Sequence, residues 1–248
     1  MFPFVIISHR HRFIFIKTRK TAGTSLEIAL SEHCGPEDVI TPIIAEDEAI
    51  RSELGFPGPQ NCRMPVRRLP RVHMGYTPRQ VASKIKRRRA TSFFNHIPAA
   101  TVRRALGRDV WDSYFKFTVE RNPFDKAVSQ YWWSTRDRDP RPELEDFLLD
   151  LAPTQMSDWH IYSIGQEIAV DFVARQERLV DDLGILSARL GIDISLPAKR
   201  AKGAYRQDLR HFSESLTPVA RSRVELVCWR EIAAFGYHWH ELEPQAEH

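Results

Sequence analysis

The chain has 248 residues, 42% of them hydrophobic and 27% charged, and a net charge of +4. That length supports one sizeable α/β core or at most two small domains, and no apolar run approaches the ~18 residues of a membrane span. Cys34, Cys62 and Cys228 are scattered and odd in number, which argues against a disulfide framework and offers no CxxC metal pair.

Residues 5–8 predict a strand, either separate or merged through His9-Arg10-His11-Arg12 into the next one at 13–16. This opening is too short for a signal-peptide core and lacks a basic leader, so the chain reads as soluble and cytoplasmic. His9 and His11 alternate with arginines, a pattern that suits a phosphate-facing edge or a solvated turn.

From Phe13 to Leu30 the sequence reads strand, loop, helix, with Leu26, Ala29 and Leu30 at helical spacing. The N–H groups of such a loop and of the helix start point outward together, which makes an anion site. Gly23 permits close approach of the backbone, Thr24 and Ser25 add hydroxyls, and Lys20 adds a positive charge. A Walker A loop is excluded, because no Gly-Lys-Ser/Thr follows. An ordinary capped helix after a buried strand is the alternative.

Residues 36–62 look irregular apart from an acidic helical piece near 46–54 and a turn at Pro57-Gly58-Pro59. Residues 63–89 carry ten Lys/Arg and no acid. Such a run is an anion-facing surface or a solvated basic insert. It follows neither a helix-turn-helix nor a zinc-finger pattern and lacks interleaved aromatics, so no nucleic-acid partner is expected.

Pro98 and Gly107 frame the next helix, which places His96 at a strand-to-helix junction, where functional side chains of open α/β sheets lie. Phe115, Phe117 and Val119 alternate as a strand. Asn122 is then a good N-cap and Pro123 a good first helical residue, so Arg121 leaves the strand end and Ser129 lies about two turns into the helix. Trp132 and Trp133 follow, as acceptor-lining or core residues. Helices are expected near 143–151 and 177–190, with Gly191 as a stop. A basic flexible stretch covers 199–203, and an amphipathic helical one covers 220–235. His238 and His240 lack a third partner for a metal.

Lys20-Thr21-Ala22-Gly23-Thr24-Ser25 resembles the loop with which sulfotransferases hold the phosphosulfate end of PAPS. Arg121-Asn122-Pro123-Phe124-Asp125, with Ser129 eight residues after Arg121, resembles their second signature, for the 3′-phosphate. The flanks are similar to those of the membrane-type carbohydrate sulfotransferases in a soluble bacterial form. The resemblance covers 13–30 and 93–133, continues weakly from 170–179 to 235–237, and omits 36–92.

It implies a P-loop-like, three-layer α/β fold with a central, mainly parallel sheet flanked by helices. One domain would span 1–248, with a basic insert at about 63–92. It also implies PAPS as donor, PAP as product and no metal. The acceptor would be a hydroxyl on a carbohydrate or glycolipid, with an acidic acceptor and peripheral membrane contact both open. Lys20, Thr21, Ala22, Gly23, Thr24, Ser25, Arg121 and Ser129 would bind the cofactor, with Lys20 also stabilising the leaving phosphate. His96 would be the general base, with His73 second and Glu120 third. Arg19 stands where relatives commonly have proline. Lys126 stands where arginine is frequent, and is expected on the helix surface. The rivals are a P-loop kinase, which needs Mg²⁺, and a non-catalytic basic module that binds an anionic polymer through 63–89.

Overall fold

Residues 5–62, 96–197, 208 and 210–239 are described by a computed structural model. Val5–Ser8 (β1) and Phe13–Ile16 (β2) form separate antiparallel strands, Val5 opposite Ile16 and Ser8 opposite Phe13. The intervening turn places Arg12 at φ 55°. Asp38 secures it by accepting hydrogen bonds from Ser8 Oγ (2.9 Å) and His9 N (2.6 Å). The merged-strand alternative is therefore not what forms. His9 pairs its Nδ1 with the Tyr114 hydroxyl at 2.8 Å, and His11 faces the His33 ring. Both lie at the start of β2, the opposite end from the loop, so the phosphate-facing alternative fails.

The fully buried helix Gly23–Ser31 (α1) follows β2, and then come Val39–Ile40 (β3) and Ala45–Glu53 (α2). After the basic segment, which lies outside the described residues, the chain forms Ala99–Leu106 (α3), Arg108–Ser113 (α4) and Phe115–Glu120 (β4). Pro123–Ser134 (α5) starts just beyond β4, capped by the Asn122 side chain, which accepts from Phe124 N at 3.0 Å. Leu144–Asp150 (α6), Pro153–Met156 (α7) and Trp159–Tyr162 (α8) lead to a small hairpin, Ser163–Ile164 (β5) with Glu167–Ile168 (β6). Phe172–Arg175 (β7) and Leu179–Leu190 (α9) come next, and α9 stops at Gly191 in left-handed backbone (φ 67°). Phe212–Ser215 (α10), Pro218–Val227 (α11) and Trp229–Phe235 (α12) complete the described chain. The amphipathic stretch expected over 220–235 is thus two helices, divided at Cys228 (φ −101°).

The main sheet has the order β3-β1-β2-β4-β7. β2, β4 and β7 run parallel, while β1 is antiparallel to both β2 and β3. Four of its five strands therefore point one way. Side-chain alternation divides the core into two layers. Phe13, Phe15, Phe117 and Val119 pack against Leu26, Ala29 and Leu30 of α1 and Leu183 and Leu186 of α9. Ile14 and Ile16 pack on the other face against Val102 and Leu106 of α3 and Trp111 of α4. A strand covered on both faces must be apolar at every position, which is why Phe13–Ile16 shows no polar alternation. Helix, sheet and helix make three layers. A third cluster joins α5, α6 and α11 through Phe124, Val128, Leu148, Ala220 and Val224.

Candidate anion-binding site

Direct parallel pairing puts the ends of β2 and β4 side by side, although Phe15 and Phe117 are far apart in sequence. Two polar side chains lock that junction. Thr118 Oγ1 donates to the Ile16 carbonyl at 2.6 Å, and Thr18 Oγ1 donates to the Val119 carbonyl. Both following helices, α1 and α5, start from this sheet edge, where ligands of open α/β sheets bind.

The loop between β2 and α1 contains two non-glycine residues in left-handed backbone, Lys20 and Ala22, each at φ 58°. Such conformations cost about 1–3 kcal/mol each and gather where a loop is held in a special shape. Ala22 is the N-cap of α1 and has no side-chain acceptor to close the first turn. Thr21 faces inward, its hydroxyl 2.9 Å from that of Thr18, so its side chain shapes the loop from within. The Lys17 stem crosses Gly23 so closely that a Cβ there would stand 2.9 Å from Lys17 Cγ. Beyond that contact, Lys17 Nζ donates to Thr24 Oγ1 and pairs with Glu27, both at 2.9 Å. Burial pushes the Glu27 carboxyl up, against the pull of Lys17 and Arg51. Ser25 is buried, and its hydroxyl has no partner among the described residues.

Arg121 reaches the loop directly, its Nη1 donating to the Lys20 carbonyl at 3.0 Å. Nε donates to Asp125 at 2.9 Å, and Nη2 bonds the same carboxylate. The two sequence signatures are therefore in contact. Ser129 is half-buried on α5. The Lys20 ammonium lies 4.8 Å from the centre of the Trp133 ring, which also carries Arg136 at 4.2 Å. Trp133 is thus a cation platform at the site rather than a core residue.

His96 also belongs to this edge. Its backbone is left-handed (φ 53°), and its Nδ1 lies 3.0 Å from the Lys17 carbonyl. A carbonyl only accepts, so the neutral ring carries its proton on Nδ1 and leaves Nε2 as the acceptor. Burial pushes its pKa down to about 3, with Arg19 and Lys17 acting the same way and Asp158 opposing them. His73, the basic segment and His240 lie outside the described residues. Among the described residues no group of His, Cys, Asp and Glu could hold a metal ion, and no helix is long and apolar enough to cross a membrane.

Lys126 is not on the helix surface. It is 4% exposed, and its ammonium stands 2.7 Å from both Glu120 Oε1 and Asp158 Oδ2. Burial works against its charge, but the two carboxylates outweigh that and raise its pKa. Asp158 also accepts from Arg19 N at 2.7 Å and Arg19 Nη1 at 2.5 Å. Burial alone would raise the Asp158 carboxyl, yet Lys126 and Arg19 hold it below the usual range. Glu120 Oε1 accepts from Arg121 N at 2.9 Å, while Oε2 is buried without a hydrogen-bond partner. Burial pushes the Glu120 carboxyl up to about 7 despite Lys126. Its side chain lies inside the fold and serves Lys126 and the backbone of Arg121, a poor position for taking a proton from an external hydroxyl. Sequence reading missed Lys17, Asp158 and the burial of Lys126. One signal was available for Lys17: a single acid, Glu27, within the apolar run of α1 requires a buried cation.

No family model matches the chain, and no solved structure matches it. An uncharacterized protein of Archaeoglobus fulgidus is 26% identical over 114 residues, which cover 42% of this chain and 89% of that protein.

Proposed function

We propose that this protein transfers a sulfuryl group from PAPS to an acceptor hydroxyl on a carbohydrate or glycolipid. The observation that carries the reading is the bond from Arg121 to the Lys20 carbonyl. It joins, across 101 residues of sequence, the two segments that resemble the PAPS signatures.

The residues suit a nucleotide with two anionic ends. The loop has an open N-cap at Ala22 and left-handed backbone on either side of Thr21, an arrangement that turns successive N–H groups toward one anion. Gly23 is needed for the chain to pass Lys17. Arg121 keeps N–H donors beyond those given to Asp125 and Lys20, and these can turn to a phosphate.

PAPS, when bound, supplies an activated sulfuryl group whose transfer leaves charge on the 5′-phosphate. Lys20 and the loop N–H groups from Thr21 to Ser25 neutralise that charge as it grows. Arg121 and Ser129 hold the 3′-phosphate and so fix the in-line register. His96 keeps Nε2 for the acceptor's proton. Alone it is a weak base, but a polyanion beside it favours the protonated ring and raises its basicity.

Calorimetric titration with PAP, in EDTA, tests the reading. Wild type should bind at micromolar levels without metal. Lys20→Ala and Arg121→Ala should each weaken binding about tenfold or more, as loss of a charge-assisted hydrogen bond does. A folded wild-type protein that binds no PAP rejects the proposal.

A further inference from the structure

Two backbone amides flank the site, those of Arg19 in the loop and Arg121 at the end of β4. Each is held by a buried carboxylate. Arg19 N donates to Asp158 at 2.7 Å, and Arg121 N donates to Glu120 at 2.9 Å. Asp158 comes from the chain just before α8, and its own N–H is fixed by Glu231 Oε1 at 3.1 Å. One ammonium, that of Lys126, bridges the two carboxylates at 2.7 Å on each side. Glu120 and Asp158 are fully buried, and Lys126 nearly so.

We propose that Lys126 is a positioning residue that sets the distance between the two anion-binding arms, by tying the carboxylate behind Arg19 to the carboxylate behind Arg121. This rests on the proposed function, since the arms matter only to a ligand with two anionic ends. The direct Arg121–Lys20 contact joins the arms at their front. The Glu120–Lys126–Asp158 bridge joins them at their back, and two attachments fix an orientation where one leaves a hinge. Asp158 holds both the N–H and the guanidinium of Arg19, so the bridge is anchored to the loop at two points. Without the ammonium, two carboxylates would face each other in a buried site, and they would separate or protonate. Each arm could still hold a single phosphate, but their spacing would no longer match one nucleotide.

The experiment compares PAP with 5′-AMP and 3′-AMP, each titrated into wild type, Lys126→Met and Lys126→Arg, with thermal melting to confirm folding. PAP affinity should fall at least tenfold in Lys126→Met, while the two single-phosphate nucleotides change less than threefold. Lys126→Arg, which can still bridge two carboxylates, should return PAP affinity to within threefold of wild type. Equal weakening of all three nucleotides would show a merely structural role and overturn the inference, as would unchanged PAP affinity. Should Lys126→Met fail to fold, Asp158→Asn, which keeps the shape but weakens the tie, must show the same split. A wild type that binds PAP while the variants show no split overturns this inference alone. A folded wild type that binds none of the three overturns the proposed function and the inference together.

Discussion

At the scale of single residues, His96 makes a claim that acid can test. Its pKa of about 3 lies below the ordinary 6.5, so the native state holds the neutral ring and the unfolded chain binds the proton more tightly. This stabilisation is fully present above pH 6.5 and is lost as pH falls toward 3. Chemical denaturation of wild type across that window should show a decline of up to about 1.4 kcal/mol per pH unit from this group. His96→Asn should flatten the slope, and equal slopes would refute the assignment. The same scale shows the limit of reading residues in a line. The placement of Lys20 and Gly23 in the loop and of Arg121 at a strand end was legible because local sequence sets each position. Lys126 was not, since it sits beside Asp125 on what looks like a polar face of α5. Its burial comes from Asp158, brought in by a distant stretch of chain. Nothing in the spacing of α5 announces that partner.

At the scale of elements, caps were the best-read features and helix breaks the worst. Asn122 before Pro123 and Gly191 after α9 stand where expected, because each supplies a conformation or an acceptor that few other residues can. The division of α11 from α12 at Cys228 carries no glycine or proline, so periodicity runs through it unbroken. Two caps provide a matched pair of tests. Asn122 caps α5 next to Arg121, while Thr217 caps α11, its Oγ1 accepting from Ala220 N at 3.2 Å. Asn122→Ala and Thr217→Ala should each cost about 1 kcal/mol, seen as a Tm lowered by about 2–4 °C. Only Asn122→Ala should also weaken PAP binding, because the start of α5 fixes the path of Arg121. Equal effects on binding would mean that the start of α5 does not govern the site.

For the whole molecule, the three-layer fold follows from runs such as Phe13–Ile16, whose lack of polar alternation demands cover on both faces. The reversal of β1 was not legible, since strand direction depends on what the turn after Ser8 does, and the two histidines and two arginines there left it open. Charge is as unevenly spread as apolar surface. The ten cations of 63–89 exceed the net charge of +4, so without them the protein would be acidic. Replacement of Lys86, Arg87, Arg88 and Arg89 by serine should therefore shorten retention on an acidic polysaccharide column and reduce its salt dependence, leaving PAP affinity within about twofold. Unchanged retention would remove an acidic acceptor from consideration.

The helix at the centre of the site has no solvent face: every residue of α1 from Gly23 to Ser31 is buried. Most short helices fray at their ends and are remade many times for each global unfolding event. This one cannot fray without exposing apolar surface, so its amides from Leu26 onward, which are bonded within the helix, should exchange with solvent only when the sheet itself opens. Its first turn is then fixed before any anion arrives. The ordering of the loop belongs to folding, and little conformational entropy is left for the ligand to remove.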